Sequence, residues 1–254
     1  MVELEFYFYP LIALAGMVAG IINTLAGNGS AITLSLLIFL GLPVDMANGT
    51  NRIGVLAQSI TAASTFRKRG LGQVMKQGKG IIAACFLGAI LGAFVVAEID
   101  EGLLEYIVGG LMVVMLFVVL FNPKRWLQES SVENFQPNFF HLILFFVIGF
   151  YGGFIQMGFG IFFLGGAVLF ARYSLIDANI IKIIVVFLFA APVLGIFIWH
   201  GDVAWIPGLT LAVGQALGGW LGARFAINYT QANVWIRRLL IVMIMAVIVR
   251  LFFG

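Results

Sequence analysis

Charge is what this sequence has least of: Lys, Arg, Asp and Glu make up 10% of its 254 residues, while 62% are hydrophobic. A soluble domain carries roughly 25% charged residues because its surface must meet water. Too few are present here to cover such a surface. With a mean hydropathy of +1.10, most of the chain must be solvated by lipid. There, backbone N–H and C=O groups are satisfied only inside helices or a closed barrel. Alternation is missing as well. Runs such as Ile143–Phe150 and Ile180–Ala191 show no period of two, which removes the barrel. The expected fold is all-α.

Reactive side chains are also scarce. A single cysteine, Cys85, lies in an apolar run and has no internal disulfide partner, and there are only two histidines. Neither His-Glu-x-x-His nor Gly-x-Ser-x-Gly occurs. No enzyme, metal site or cofactor is therefore expected. No basic stripe interleaved with aromatics suggests nucleic acid as a partner. The first ten residues carry Glu3 and Glu5 where a signal peptide is basic, so they read as mature protein.

Glycine, by contrast, is abundant, at 31 residues. A hydrocarbon core of about 30 Å takes roughly 20 helical residues per crossing. Apolar runs between punctuation give Phe8–Ala26, Ser30–Leu42, Asn48–Phe66, Lys79–Ala97, Leu103–Phe121, Phe139–Met157, Ile161–Ala171, Ile176–Trp199, Trp205–Phe225 and Val234–Phe253. Eight are long enough to cross. Ser30–Leu42 and Ile161–Ala171 are too short, and each follows a glycine-containing break, Gly27-Asn28-Gly29 or Gly158-Phe159-Gly160.

The breaks match because the chain reads as a duplication. An offset of 131 residues carries Gly27 onto Gly158, Gly29 onto Gly160, Ala47-Asn48 onto Ala178-Asn179 and Gly70 onto Gly201. An offset of 130 carries Leu87–Ala93 onto Leu217–Ala223. Charge then sets the relative orientation of the copies. The loop after the third span holds Arg67, Lys68, Arg69 and Lys76, whereas its mate around Gly201 holds His200 and Asp202. The next loop is acidic (Glu98, Asp100, Glu101) and its mate holds Arg224, Arg237 and Arg238. Lys and Arg gather in cytoplasmic loops, so equivalent loops lie on opposite sides of the membrane. The expectation is about ten transmembrane helices in two inverted five-helix repeats, 1–122 and 138–254, joined by a cytoplasmic linker at 123–137. Both termini then face away from the cytoplasm.

Inverted repeats with interrupted helices mark secondary transporters, whose sites lie where the repeats meet. A helix that begins inside the membrane leaves its first N–H groups without intrahelical partners, and these with the positive end of the dipole favour an anion. Gly27, Asn28, Gly29 and Ser30, with Gln156, Gly158 and Gly160 in the second copy, are candidate contacts. A second constellation opens the third span. Asn48, Asn51, Arg52, Gln58 and Ser59 fall near one helical face, with Thr50 inside the same motif, and Asn179 and Lys182 open the mate. A plainer reading makes Asn48 and Asn179 helix N-caps and lets Arg52 and Lys182 snorkel to the interface. The sign of the charges favours the site. All 11 carboxylates fall outside span centres, leaving Arg52 and Lys182 as the charges nearest the interior. Cationic and amide donors select anions.

The Gly-rich break, the short helix and the run Asp45–Gln58 (DMANGTNRIGVLAQ), with the basic turn Arg67-Lys68-Arg69-Gly70, resemble the sulfite exporter TauE/SafE family over nearly the whole chain. The resemblance implies export or uptake of sulfite, sulfonates or other sulfur-containing organic anions across a prokaryotic inner membrane. The family's run of glycines before a proline reads here Gly27-Asn28-Gly29-Ser30 and Gly158-Phe159-Gly160-Ile161, with no proline after either. An anion channel or an accessory membrane subunit is the alternative. A homo-oligomer is left open.

Overall fold

The computed structural model describes residues 6–66, 71–99 and 137–228. Every regular element among them is helical: α1 (Phe8–Leu25), α2 (Ser30–Phe39), α3 (Val44–Phe66), α4 (Leu71–Ala97), α5 (Phe139–Phe154), α6 (Phe159–Gly165), α7 (Leu175–His200) and α8 (Trp205–Asn228). A π-helical turn, Gly166–Phe170, continues α6. The expected fifth and tenth spans, the linker and the basic turn at Arg67–Gly70 lie outside the described residues.

Among the described residues, three segments are long and apolar enough to cross a membrane: α1, Gly78–Ala97 of α4, and α7. Ser30–Phe39, Phe139–Phe154 and Phe159–Phe170 are shorter apolar helices. The outward faces carry large apolar side chains, among them Leu14, Phe94, Val147, Leu209 and Val213. A water-soluble monomer rarely shows so continuous an apolar exterior, whereas lipid covers it at no cost. The chain is a multi-pass membrane protein.

Among the boundaries that differ from expectation, two bear on the site and have identifiable reasons. The sixth expected span was Phe139–Met157, but α5 stops at Phe154 because Ile155 turns extended (φ −142°, ψ 114°). Gln156 and Met157 thus belong to the break. The third span begins at Val44 rather than Asn48, with Asp45 in its first turn, where a carboxylate suits the helix dipole. Asn48 is therefore one turn inside the helix. Likewise Ser174 caps α7, its hydroxyl accepting the N–H of Asp177 at 3.1 Å, so Asn179 is interior. Neither asparagine is an N-cap.

Packing runs in the order α1–α8–α3–α7–α4–α5, with α2 lying on α1 and α3, and α6 on α5 and α7. Exchanging the first four helices with the second four reverses this order and leaves it otherwise unchanged. Its two outer pairs, α1 with α8 and α4 with α5, are built alike. A Cβ placed on Gly218 would strike the carbonyl oxygen of Met17, and one on Gly88 that of Phe146. Small residues at such seams let helix backbones touch, which supplies the dispersion contacts that associate helices in lipid.

Candidate functional site

Both breaks turn through glycines that only glycine accommodates cheaply. Gly27 has φ +80° and Gly158 φ +76°, in the left-handed region where a Cβ is strained. The two breaks then meet. The N–H of Gly160 donates to the carbonyl oxygen of Gly27 at 3.0 Å, and a Cβ on either residue would land on the Cα of the other. Gly29 instead seats the start of α2 on the backbone of Ala19.

The donors at the helix starts are engaged locally. Asn23, in the last turn of α1, accepts the Ser30 N–H at 3.2 Å and donates its amide to the Ser30 hydroxyl at 3.1 Å. Thr33 donates to the carbonyl of Ser30 at 3.2 Å and is placed 2.7 Å from the side-chain oxygen of Asn51, which also accepts from Gln215 at 3.2 Å. One polar knot ties α1, α2, α3 and α8 together.

The two buried cations close helix ends. Arg52 is 1% exposed. Its guanidinium donates to the carbonyls of Gly152 (2.7 Å) and Gly153 (2.8 Å), to the Gln156 side chain (3.2 Å) and to Asn48 (3.1 Å). Its plane lies 5.3 Å from the Phe197 ring centre. Lys182, 2% exposed, donates to the carbonyls of Asn23 (2.8 Å) and Thr24 (3.2 Å). The acceptors sit in the last turns of α5 and α1, where carbonyls have no intrahelical partner and the dipole is negative. A buried charge persists only when most of its donors are matched in this way; for Arg52 the Nε–H alone has no partner among the described residues. Neither side chain snorkels.

A small cavity of about 20 Å³ lies where the breaks touch. It has room for about one water in this conformation. Asn23, Gly27, Gln58, Ser59, Gln156, Gly160 and Lys182 line it, with Phe159, Ile183 and Val186 as its apolar wall. Gln58 reaches across to the Thr24 hydroxyl at 3.2 Å.

Of the residues expected from sequence, Gly27, Gln156, Gly160 and Lys182 therefore share the cavity. Asn48 and Arg52 stand behind it, joined to it through Gln156. Ser30 and Asn51 belong to the polar knot. Thr50 faces elsewhere, accepting the N–H of Ala204 at 2.8 Å and fastening the α7–α8 connection. Asn28, Gly29, Gly158 and Asn179 are buried but do not line the cavity. Sequence reasoning passed over Asn23, and it put Gln58 and Ser59 on the stripe without making them contacts. An amide one turn from the end of an apolar helix was the available signal for Asn23.

The geometry meets its relatives in the sequence comparisons. Over 254 residues the chain is 29% identical to "Probable membrane transporter protein ORF9" of Sinorhizobium sp., covering 99% of this chain and 95% of that protein. It is 28% identical over 229 residues to a "Probable membrane transporter protein" of Haemophilus influenzae, covering 90% and 88%. It is 29% identical over 231 residues to "Probable membrane transporter protein YfcA" of Escherichia coli, covering 91% and 84%. No solved structure matches the chain. The sequence model described as "Sulfite exporter TauE/SafE" matches residues 12–251. With nearly every residue inside that match, and with two breaks meeting around a buried lysine, the chain belongs to the TauE/SafE family of membrane transporters.

Proposed function

We propose that this protein is a secondary transporter that moves a small anion, sulfite, a sulfonate or another sulfur-containing organic anion, across a prokaryotic inner membrane. It works by alternating access between two inverted repeats. The observation that carries the reading is the contact of Gly27 with Gly160 beside a cavity whose one charged lining residue, among the described residues, is Lys182. The palindromic packing order supports the repeat, as does the reciprocal pattern of a cation from each half on the last carbonyls of the other half's first helix. Lys182 and Gln156 form the innermost contacts, and Gly27 and Gly160, whose N–H groups are already bonded, bring the two breaks together beside them. Asn48 and Arg52 act from behind, and Ser30 and Asn51 hold the shape. Asn28, Gly29, Gly158, Asn179 and Thr50 serve the surrounding frame.

The cavity volume favours a carrier over an open pore. Space for about one water does not admit a four-atom oxyanion in this conformation, and in the proposed scheme the halves part for substrate to enter. Both termini face outward in this scheme, which rests on the charge of the loops.

The test is flux. In proteoliposomes holding the purified protein, sulfite transport saturates with concentration and is driven by an opposing gradient of unlabelled sulfite. Linear, gradient-blind flux would instead mean a channel, and absence of flux for sulfite and every sulfonate tried would sink the anion reading.

A further inference from the structure

We propose that the cavity selects singly charged anions that still carry a hydrogen-bond donor, such as hydrogen sulfite, and that Gln58 makes this selection. The proposal rests on the anion-transport reading above. Its first support is a count of charge. Among the described residues Lys182 is the sole charged side chain lining the cavity, and two of its three N–H bonds are held by the carbonyls of Asn23 and Thr24. One positive charge, with one N–H to spare, matches one negative charge. Arg52 contributes none directly, because its bonded partners are the end of α5, Gln156 and Asn48.

The second support is the polarity of the remaining groups. The Gln156 side-chain oxygen already accepts from Arg52, which aims that oxygen toward Arg52 and leaves its amide N–H2 as the group Gln156 turns to a ligand. Arg52 is thus a positioning residue, acting through Gln156. Gln58 is turned the other way. Its amide N–H2 donates to Thr24, and its Oε1 is buried with no partner among the described residues. Ser59 spends its hydroxyl proton on the carbonyl of Leu56 at 2.8 Å, leaving its oxygen as an acceptor. The cavity therefore pairs donors and one positive charge with two acceptors. A fully deprotonated oxyanion has nothing to give those acceptors and would be repelled by them. An anion bearing an O–H satisfies them, and sites that bond a substrate hydroxyl discriminate strongly against analogues lacking it.

The experiment uses the full-length protein purified in detergent and titration calorimetry with two ligands of equal charge that differ by one hydroxyl, hydroxymethanesulfonate and methanesulfonate, at one pH. The hydroxyl-bearing ligand is expected to bind about ten-fold more tightly, the factor one net hydrogen bond supplies. In Gln58→Leu the ratio is expected to fall within about two-fold. Because the wild-type comparison stands alone, a variant that failed to fold would not rescue the idea. Equal wild-type affinities would overturn the role of Gln58 and leave the anion site intact. Binding of neither sulfonate, nor of sulfite in a third titration, would remove the anion reading and this proposal together.

Discussion

The carbonyl oxygen of Gly27 lies 3.0 Å from the backbone nitrogen of Gly160, so two breaks far apart in sequence touch without any side chain between them. Substituting either glycine by alanine forces the breaks apart. At Gly27 the left-handed backbone adds a further cost of about 1–2 kcal/mol. Gly27→Ala and Gly160→Ala are expected to lose at least about ten-fold in sulfite flux, the consequence of roughly 1.4 kcal/mol at the site. Gly41→Ala is the control. Gly41 also has positive φ, but a Cβ there meets open space, so flux should persist while stability falls slightly. Equal losses at Gly27 and Gly41 with none at Gly160, whose φ is not positive, would show that strain alone, and not the contact, matters.

Removing Arg52 strands acceptors on two helices. Arg52→Gln is expected to lower unfolding stability by about 3–5 kcal/mol, the range for breaking one partner of a buried charged network. Arg52→Lys should recover part of it, because an ammonium still donates but cannot span Gly152, Gly153 and Asn48 at once. Thermal melts of the purified variants in the absence of any anion read this directly. A melt unchanged in Arg52→Gln would exclude the clasp.

Thr50 predicts a smaller effect. Thr50→Val removes the acceptor of the Ala204 N–H while keeping the side chain's shape. The expected destabilisation is about 1–3 kcal/mol, since a partly buried N–H loses its partner. Sulfite affinity, measured by calorimetry, should stay at the wild-type value. A change in affinity would place Thr50 at the site after all.

The loop between α7 and α8 gives a pH dependence. Burial, and then the charge of Asp45, push the Asp202 carboxyl above the ordinary carboxylate range. A raised folded-state value means that the stability Asp202 contributes is present below its unfolded value of about 3.9 and is lost as pH rises through the folded value. At neutral pH its charge works against the fold. Asp202→Asn is expected to raise Tm above about pH 5, with the advantage fading toward pH 4. A gain that did not vary with pH would assign the effect to something other than titration.

Much of this was readable from residue order because membrane helices obey few rules. The start of α2 at Ser30 follows from the glycines before it, and α1, α7 and α8 begin within one residue of where their apolar runs do. The starts of α3 and α4 were harder. Val44–Ala47 and Leu71–Gly78 extend the apolar runs with polar or small residues, so hydropathy alone ends each helix too soon. The site was legible as a set of residue types and not as an assignment of partners. Asn48, Asn51, Arg52 and Gln58 share one stripe, yet the stripe divides three ways, toward α5, toward α2 and α8, and toward the cavity. Which neighbour each amide meets depends on other helices, from 18 residues away for Asn51 with Thr33 to 164 for Asn51 with Gln215. Thr50 was misplaced for a simpler reason: it sits two residues from Asn48, about 200° around the helix, and so faces the α7–α8 loop.

The cross-bracing of first helices by distant partners constrains how the protein is made. The open end of α1 waits for Lys182, 159 residues further along from Asn23, and the glycine seam of α1 waits for α8, later still. Until translation reaches them, α1 stands in the bilayer with bare carbonyls and an unfilled groove. Closure of α1 is therefore a late event, and a ribosome halted after α4 leaves a fragment that holds α2 on α1 and α3 but lacks the partners of α1's open end and glycine seam.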